Sequence, residues 1–384
     1  MLRRLSIGLL ASAVAIAPMP LKAQDGSAED LGDVMSISLK DVVKPTFGFQ
    51  GALQGAGTPN QAGIGGFLPL SVGDNSVWFV DALINANFAD RAGESSIINT
   101  DVAGTTVSTS TRMGYRWLNG DRSWMFGING GYDSRPMNTG GTDTGIIVSG
   151  TEESAFFQQV AVNAEAVSND WNFNAYALIP IGDTEQPLNW FYQGGALNTY
   201  GLDFGYFITP EWNASVGYYY QHGDLGSADG SGVLGRLAYE ISSGLTAGVN
   251  ISYDEAFETR VSADLKVRFG GASTTAQRKE VQQQPVINAL TATPSNRDVR
   301  VHDYYFIIKC YDKYGRTIFS SPVADTESIT DPMVTDDRGN EIPLFDSEFH
   351  KACRSIGGSL NFVKNPKDVW QRTELKKAKD VKKD

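Results

Sequence analysis

Beyond its first residues, the sequence has no apolar run of the ~18 to 20 residues that a membrane-spanning helix needs. It is also poor in histidine and cysteine: the three histidines, His222, His302 and His350, stand apart without the spacing of a metal site, and only two cysteines occur. These absences exclude a bundle of membrane helices. They also leave no candidate catalytic residue, metal ligand or cofactor site, so an enzyme is not expected.

Basic residues are scarce in most of the chain. The formal net charge is −12, and the acidic surplus falls in residues 44–270. A nucleic-acid partner is therefore not expected. Residues 376–384 form a basic tail, a pattern typical of a solvated chain end.

The amino-terminal pattern indicates export. Residues 1–23 have a basic front, an apolar run and a small-residue cleavage site before Gln24, as in a signal peptide. Residues 24–43 are polar and acidic without a period and are predicted to be a periplasmic leader. An exported chain without a spanning helix can cross a membrane only with the strands of a closed sheet.

From residue 44 onward, apolar residues alternate with polar or small ones. Val261 and Leu265, for example, fall on the opposite face of a strand from Arg260 and Asp264, because side chains alternate along a strand. About twelve such strands are predicted, near residues 44–54, 61–70, 76–87, 105–118, 123–133, 155–167, 171–181, 198–208, 212–221, 232–241, 245–254 and 257–269.

The connections between these strands alternate between short turns and long loops, the wiring of an outer-membrane barrel. The longer loops are predicted at residues 89–103, 134–154, 182–197 and 222–231. A secreted β-sandwich also alternates, but its outer face carries many charges, whereas the second face here is rich in Gly, Ser, Asn and Thr. We therefore predict an all-β fold: an antiparallel transmembrane β-barrel of about twelve strands over residues 44–270, followed by a small soluble α+β domain.

One hairpin is unusually rich in aromatics on alternate positions: residues 112–135, RMGYRWLNGDRSWMFGINGGYDSR. Its aromatic set is predicted to face lipid and its Arg, Asn and Asp residues to face the lumen. The hairpin resembles the β-domain of inverse autotransporters, the family of intimin and invasin. The matching residues are Gly114, Tyr115, Arg116, Trp124, Phe126, Gly127, Asn129, Tyr132 and Asp133.

The resemblance extends over residues 44–270 and implies a specific topology. In this family the amino end of the barrel is periplasmic, and the chain leaves the last strand, re-enters the pore and displays a C-terminal passenger outside. The C-terminal part of this chain shows no immunoglobulin-like repeats, so host-cell adhesion is not carried over.

Charged residues on the predicted lumen face form a mixed set. We predict that they pair around the threaded chain instead of lining an open pore; they are Arg112, Arg116, Arg236, Arg260, Arg268, Asp81, Glu165, Asp203 and Asp264. The last strand ends with Leu265, Val267 and Phe269, a pattern that resembles the signal read by the barrel-assembly machinery.

The rest of the chain is predicted to be a linker and a small domain. Residues 271–285 are polar and, at ~3.3 Å per residue, long enough to cross a bilayer once or to tether a periplasmic domain. Residues 286–375 show two strands around residues 312–315 and a short helix. Cys310 and Cys353 both lie there, and in an exported protein they are predicted to form a disulfide; two free thiols are the alternative.

These patterns favour an outer-membrane barrel, in contact with membrane lipid, that anchors its own C-terminal domain and could export it to the cell surface. One alternative is a tether with a periplasmic C-terminal domain, and another is a porin-like solute channel. The partner of the C-terminal domain is not indicated by the sequence.

Overall fold

A computed structural model describes residues 37–91, 94–143, 146–188, 192–223, 228–242, 244–270, 284–305, 307–311, 317–322, 333–335, 341–343 and 359–363. The predicted signal peptide and most of the predicted leader lie outside these ranges. The first described element is a one-turn helix, α1 (Leu39–Val42), which buries Leu39 and Val42 before the first strand begins.

Twelve strands close into one antiparallel barrel, as predicted. In chain order the strands are β1 (Thr46–Ala52), β2 (Asn60–Val72), β3 (Ser76–Phe88), β4 (Thr106–Leu118), β5 (Met125–Asp143), β6 (Ile146–Val167), β7 (Trp171–Pro180), β8 (Glu185–Pro187), β9 (Tyr192–Ala196), β10 (Asn198–Thr209), β11 (Trp212–His222), β12 (Gly230–Ser242), β13 (Leu245–Asp254) and β14 (Glu258–Gly270). All but β8 and β9 belong to the barrel, which closes where β1 pairs with β14.

The two-residue alternation of the sequence separates an outer face from a lumen face. On β4, Met113 is 54% exposed, whereas its neighbours Arg112 and Gly114 are buried. Large apolar side chains are exposed in the same way around the whole barrel, among them Phe49, Ile64, Ile84, Val107, Ile128, Val162, Leu202, Val216, Tyr218, Val233, Val249 and Val261. Because a continuous apolar belt is unfavourable in water, and the closed sheet leaves no unpaired edge, this surface suits the hydrocarbon layer of a membrane.

The two rims of the barrel differ. Short connections form one rim, the short-turn rim: residues 73–75, 119–124, 168–170 and 210–211, and the link from β12 to β13. The other rim carries the connections at residues 53–59, 89–105, 181–197, 223–229 and 255–257, and we call it the long-loop rim. The last barrel strand ends at Gly270, beside Thr46, on the short-turn rim.

One predicted loop is instead part of the sheet. Residues 134–154 were expected to connect two strands, but β5 and β6 continue as a paired hairpin until Asp143 lies opposite Ile146. The alternation in this hairpin is weak because it extends past the apolar belt, where neither face of the sheet is required to be apolar.

Beyond the barrel, the described residues form α2 (Pro285–Asn288), a 3₁₀ turn (Ala289–Thr291) and six short strands. None of the helices in the described part of the chain is long and apolar enough to cross a membrane. The strands are β15 (Val301–Tyr305), β16 (Ile307–Tyr311), β17 (Thr317–Pro322), β18 (Met333–Thr335), β19 (Glu341–Pro343) and β20 (Ser359–Val363).

Within the predicted C-terminal domain, β16 pairs with β17 and with β20, and β18 pairs with β19. The pair β16 and β17 is the hairpin predicted around residues 312–315. Cys310 lies on β16, while Cys353 and the predicted helix lie outside the described residues, so the disulfide remains a prediction. Residues 284–305, which include the start of this predicted domain, lie with the barrel.

Candidate functional site

The lumen of the barrel is occupied by residues 284–300, and buried ion pairs on the wall hold this segment. Arg112 on β4 and Asp133 on β5 form a two-pronged pair, with Nη1–Oδ1 at 2.7 Å and Nη2–Oδ2 at 2.8 Å. Both side chains are essentially inaccessible to solvent, at 0% and 1%. Nη2 of Arg112 also donates to the carbonyl oxygen of Asn296 at 3.0 Å, so the pair extends to the threaded segment.

A second wall arginine has the same double role nearer the short-turn rim. Nε of Arg116 donates to Glu165 at 2.7 Å, and Nη1 donates to the carbonyl oxygens of Leu290 at 3.2 Å and Ala292 at 2.7 Å. The guanidinium carbon lies 4.5 Å from the centre of the Phe79 ring. Because a buried guanidinium needs both charge and hydrogen-bond partners, the segment completes the partners of Arg116.

Glycines in the family-like hairpin make room for these pairs. A Cβ atom on Gly127 would lie 2.6 Å from Oε1 of Glu165, and one on Gly114 would lie 2.6 Å from side-chain atoms of Asn129 and Phe79. A Cβ atom on Gly131 would lie 1.8 Å from the carbonyl oxygen of Thr111. The glycines of this hairpin therefore have a steric reason that composition alone does not reveal.

The hairpin's other matching residues divide between the two faces. Tyr115 and Trp117 stack at 5.5 Å on the outer face, next to Trp78, while Trp124 and Phe126 stack at 6.2 Å. Asn129 is buried in the lumen, where its Oδ1 accepts a hydrogen bond from Asn163 at 3.0 Å. The hydroxyl of Tyr132 donates to Gln158 at 2.9 Å.

The segment supplies two arginines of its own. Arg297 forms a buried ion pair with Asp81 on β3, and its Nε donates to Oγ of Ser110 at 2.7 Å. Arg300 pairs with Asp254 at 3.3 Å and lies over the ring of Tyr219, 4.6 Å from its centre. The wall thus supplies acids for the segment's arginines, in addition to arginines for its carbonyl oxygens.

The segment runs from one rim of the barrel to the other. At its start, the backbone N–H of Val286 donates to Oδ1 of Asn169, which lies in the short turn between β6 and β7, at 3.3 Å. At its end, the N–H of Val301 donates to the carbonyl oxygen of Gly57 on the long-loop rim at 3.1 Å. Between them, Arg268 donates to the carbonyl oxygen of Thr291, and Nε2 of Gln159 donates to that of Asp298 at 3.2 Å.

After leaving the lumen the chain becomes β15, which extends a small sheet with β9 and β8. Its register places Val301 opposite Ala196 and Asp303 opposite Gly194. The carboxylate of Asp303 accepts the backbone N–H groups of Thr100 at 2.7 Å and Asn99 at 3.1 Å. The exit strand is therefore fastened both to the β8–β9 hairpin and to the loop of residues 89–105.

Two buried titratable side chains lie side by side on β15. Burial raises the pKa of Asp303 to about 7, although hydrogen bonds from Thr100 and Asn99 oppose the shift. Burial also lowers the pKa of His302 to about 4. The negative charge of Asp254 acts in the opposite direction, but its effect on the pKa is smaller. His302 packs edge-on against Phe257 with ring centres 5.6 Å apart.

The predicted lumen charges lie inside the barrel but in two different settings. Arg112, Arg116, Arg268 and Asp81 bond the threaded segment directly, and Glu165 does so through Arg116. Arg236 pairs with Asp264 and Arg260 donates to the carbonyl oxygen of Ser95 at 2.9 Å, both outside the segment. Asp203 accepts from Asn174 of the wall at 3.3 Å and also hydrogen-bonds Asn296 of the segment.

Sequence reasoning did not identify Arg297, Arg300, Asp254 or Gln159 as site residues. The sequence offered one indication of these residues: two arginines, Arg297 and Arg300, stand three residues apart. They lie in a segment that was assigned to the C-terminal domain. The remaining predicted residues, Leu265, Val267 and Phe269, lie along the outer face of β14, with Leu265 and Phe269 about half exposed.

The other histidine of the described chain shows ordinary surface contacts. Nδ1 of His222 lies 2.9 Å from Oδ2 of Asp229, and both side chains are partly exposed. No group of three or more His, Cys, Asp or Glu residues is placed to bind a metal ion in the part of the chain that the structure describes.

The sequence matches no protein-family model and no curated protein. Among solved structures, a chain from a study of the in-meso crystallization of membrane proteins is 12% identical, with a TM-score of 0.48 over 68% of this chain and 100% of that chain. The β-domain of the Bordetella autotransporter BrkA is also 12% identical, with a TM-score of 0.36 over 60% of this chain and 100% of that one. Outer membrane phospholipase A from Escherichia coli is 11% identical, with a TM-score of 0.32 over 60% and 98% of the two chains.

Likeness at such identities concerns the fold alone. The closed antiparallel sheet, the apolar outer belt and the charged lumen together make this chain an outer-membrane β-barrel.

Proposed function

We propose that this protein is a surface anchor of the inverse autotransporter type, which holds its own C-terminal segment across the outer membrane. The observation that carries the proposal is the path of residues 284–301. It runs through the lumen from Asn169 on the short-turn rim to Gly57 on the long-loop rim. In outer-membrane barrels, short turns face the periplasm and long loops face the exterior.

The lumen contacts support a permanent anchor over a transient passage. Arg112 and Arg116 are buried wall residues that donate to carbonyl oxygens of the segment, and Arg297 is a buried residue of the segment that pairs with Asp81 on the wall. Removing either side of such a pair leaves an uncompensated buried charge, which costs about 3 to 5 kcal/mol. Two such pairs, Arg297 with Asp81 and Arg300 with Asp254, join the segment to the wall and would hold the segment in place.

We further propose that outer-membrane lipid surrounds the apolar belt and that the barrel-assembly machinery reads the end of β14. Leu265 and Phe269 lie there on the outer face, next to the seam where β1 closes the barrel. The C-terminal domain remains without an assigned partner, and no catalytic role is proposed for it.

Topology is tested by epitope tags at three positions of the full chain. One tag follows Asp384, one is inserted after Gly120 in a short turn, and one is inserted after Gly226 between β11 and β12. With intact cells we expect antibody to reach the tags after Asp384 and Gly226 but not the tag after Gly120. After lysis, all three tags should bind.

The two reference tags also separate the rival function. If the tag after Asp384 is hidden in intact cells together with the tag after Gly120, the C-terminal domain is periplasmic and the protein is a tether. That outcome would reject surface display.

A further inference from the structure

The threaded segment fills only one side of the lumen. Its hydrogen bonds and ion pairs inside the barrel go mainly to β2 through β6, through residues such as Gln61, Asp81, Arg112, Arg116 and Gln159. On the opposite wall the described contacts are fewer. Asn174 of β7, for example, donates to Oγ of Ser295 at 3.4 Å, a long bond.

A cavity of about 440 Å³ lies between the segment and this opposite wall. Its lining follows the lumen face of β11 from Asn213, one residue after the short turn, to Tyr219 near the long-loop rim. The cavity therefore extends along most of the height of the barrel wall.

The lining mixes polar and apolar groups and is balanced in charge. It includes amide and hydroxyl side chains such as Asn172, Asn213, Ser215 and Ser252, and its charged residues include both signs. Arg236 and Asp264 pair with each other, so neither attracts an ion of one sign strongly. Such a surface keeps water and admits small polar solutes without selecting strongly for cations or anions.

At the long-loop rim, the segment contacts the wall beside the cavity. There Tyr219 donates from its hydroxyl to Asp254 at 2.6 Å, and Arg300 of the threaded segment stacks over the tyrosine ring and pairs with the same carboxylate. Tyr219 is only 3% exposed. This three-residue cluster joins the segment to the wall at the upper end of the β11 lining.

We propose that the barrel, with its segment in place, conducts small ions and small hydrophilic solutes through this side cavity, and that the Tyr219–Asp254–Arg300 cluster restricts the flow. The proposal does not depend on which side of the membrane the C-terminal domain occupies. It concerns only the space left beside the segment.

The full chain is tested by single-channel recording in planar bilayers in potassium chloride. Wild type should show a small, steady conductance with weak ion selectivity. Ser215→Trp should reduce it several-fold by filling the cavity, whereas Val216→Trp, on the adjacent and outward-facing position, should leave it unchanged. Tyr219→Ala should increase the conductance several-fold, and Tyr220→Ala, which faces outward, should not.

Folding of each variant is checked by its resistance to detergent before heating, and Ser252→Trp with Ile251→Trp is a second matched pair. The proposal is overturned if wild type and Tyr219→Ala both lack conductance above the bare bilayer. It is equally overturned if the tryptophan variants inside and outside the barrel conduct alike. The epitope-tag result would be unaffected by either outcome, so the two proposals fail separately.

Discussion

Arg116 illustrates how single side chains connect the barrel to the chain inside it. Its guanidinium lies between Glu165 on the wall and the carbonyl oxygens of Leu290 and Ala292 on the segment. A lysine could not reproduce this arrangement, because it lacks the planar fork that bonds in two directions. The residue therefore contributes to the barrel and to the docking of the segment at once.

Replacing Arg116 with alanine should release the segment locally. We expect Arg116→Ala to lower the protection of backbone amides in residues 286–300 by on the order of 3 kcal/mol, because a buried acid and two carbonyl oxygens lose their partner. Hydrogen exchange followed by mass spectrometry measures this. Arg236→Ala is the matched control, since its ion pair with Asp264 belongs to the wall; equal loss of protection in both variants would contradict the role assigned to Arg116.

Gly127 is predicted to tolerate no side chain. A methyl group there would press on the Glu165 carboxylate at 2.6 Å, so Gly127→Ala should lower the thermal unfolding temperature, with a cost of about 1 to 3 kcal/mol. Gly235→Ala is the control, because its nearest contact would be an ordinary 3.4 Å to Ile251. Unfolding is followed by the shift in electrophoretic mobility on heating, and an unchanged midpoint for Gly127→Ala would show that Glu165 adjusts.

At the scale of elements, the barrel strands were predictable because lipid and lumen impose opposite chemistry on alternate residues. The limits predicted for β3, β4, β11 and β13 differ from the observed ones by at most a residue or so. The extension of β5 and β6 was missed because that part lies beyond the apolar belt. Pairing of β9 with β15 was missed because the two strands are more than a hundred residues apart in sequence.

The lumen segment was difficult to recognise for a different reason. The wall bonds it chiefly through its carbonyl oxygens, which every residue type possesses, so no side-chain pattern marks it. Arg297 and Arg300 bond the wall through charged side chains, and their acids, Asp81 and Asp254, lie on distant strands. A sequence pattern can place a residue on the lumen face, but it cannot identify the partner across the lumen.

The docking of the exit strand β15 should depend on pH in two opposite ways, one from Asp303 and one from His302. The pKa of Asp303 is about 7 in the folded protein, above its ordinary value of 3.8. Its contribution to the docking of β15 on the barrel is therefore strongest at low pH and weakens as pH rises from 3.8 to 7. The folded pKa of His302 is about 4, below its ordinary 6.5, so docking weakens as pH falls from 6.5 to 4. The two effects oppose each other between pH 4 and 6.5.

Single variants should separate these effects. We expect Asp303→Asn to leave a docking strength that declines on acidification below pH 6.5, and His302→Phe to leave one that declines as pH rises from 4 to 7. Hydrogen exchange of β15, corrected for the intrinsic effect of pH, is the measurement. A decline in the same direction for both variants would contradict the opposite pKa shifts.

At the scale of the whole molecule, an added charge should destabilise the barrel more when it is placed on the outer apolar belt than when it is placed in the lumen. Leu202, near the middle of β10, is 63% exposed on the outer face, so Leu202→Arg should destabilise the barrel in lipid by about 2 to 4 kcal/mol. Urea unfolding in lipid vesicles measures the difference from wild type. Ser215→Arg, which faces the cavity, is the control and should cost less; equal costs would argue against a lipid-facing belt.

The carbonyl-directed contacts of the lumen have a consequence for how the chain can vary. Arg112, Arg116, Arg135, Gln159 and Arg268 recognise main-chain oxygens, so these hydrogen bonds do not depend on the side chains of the residues that accept them. The barrel wall therefore binds the segment largely through its backbone. The domain that follows β15 could therefore be exchanged between proteins by recombination, without changing the contacts between the segment and the lumen wall.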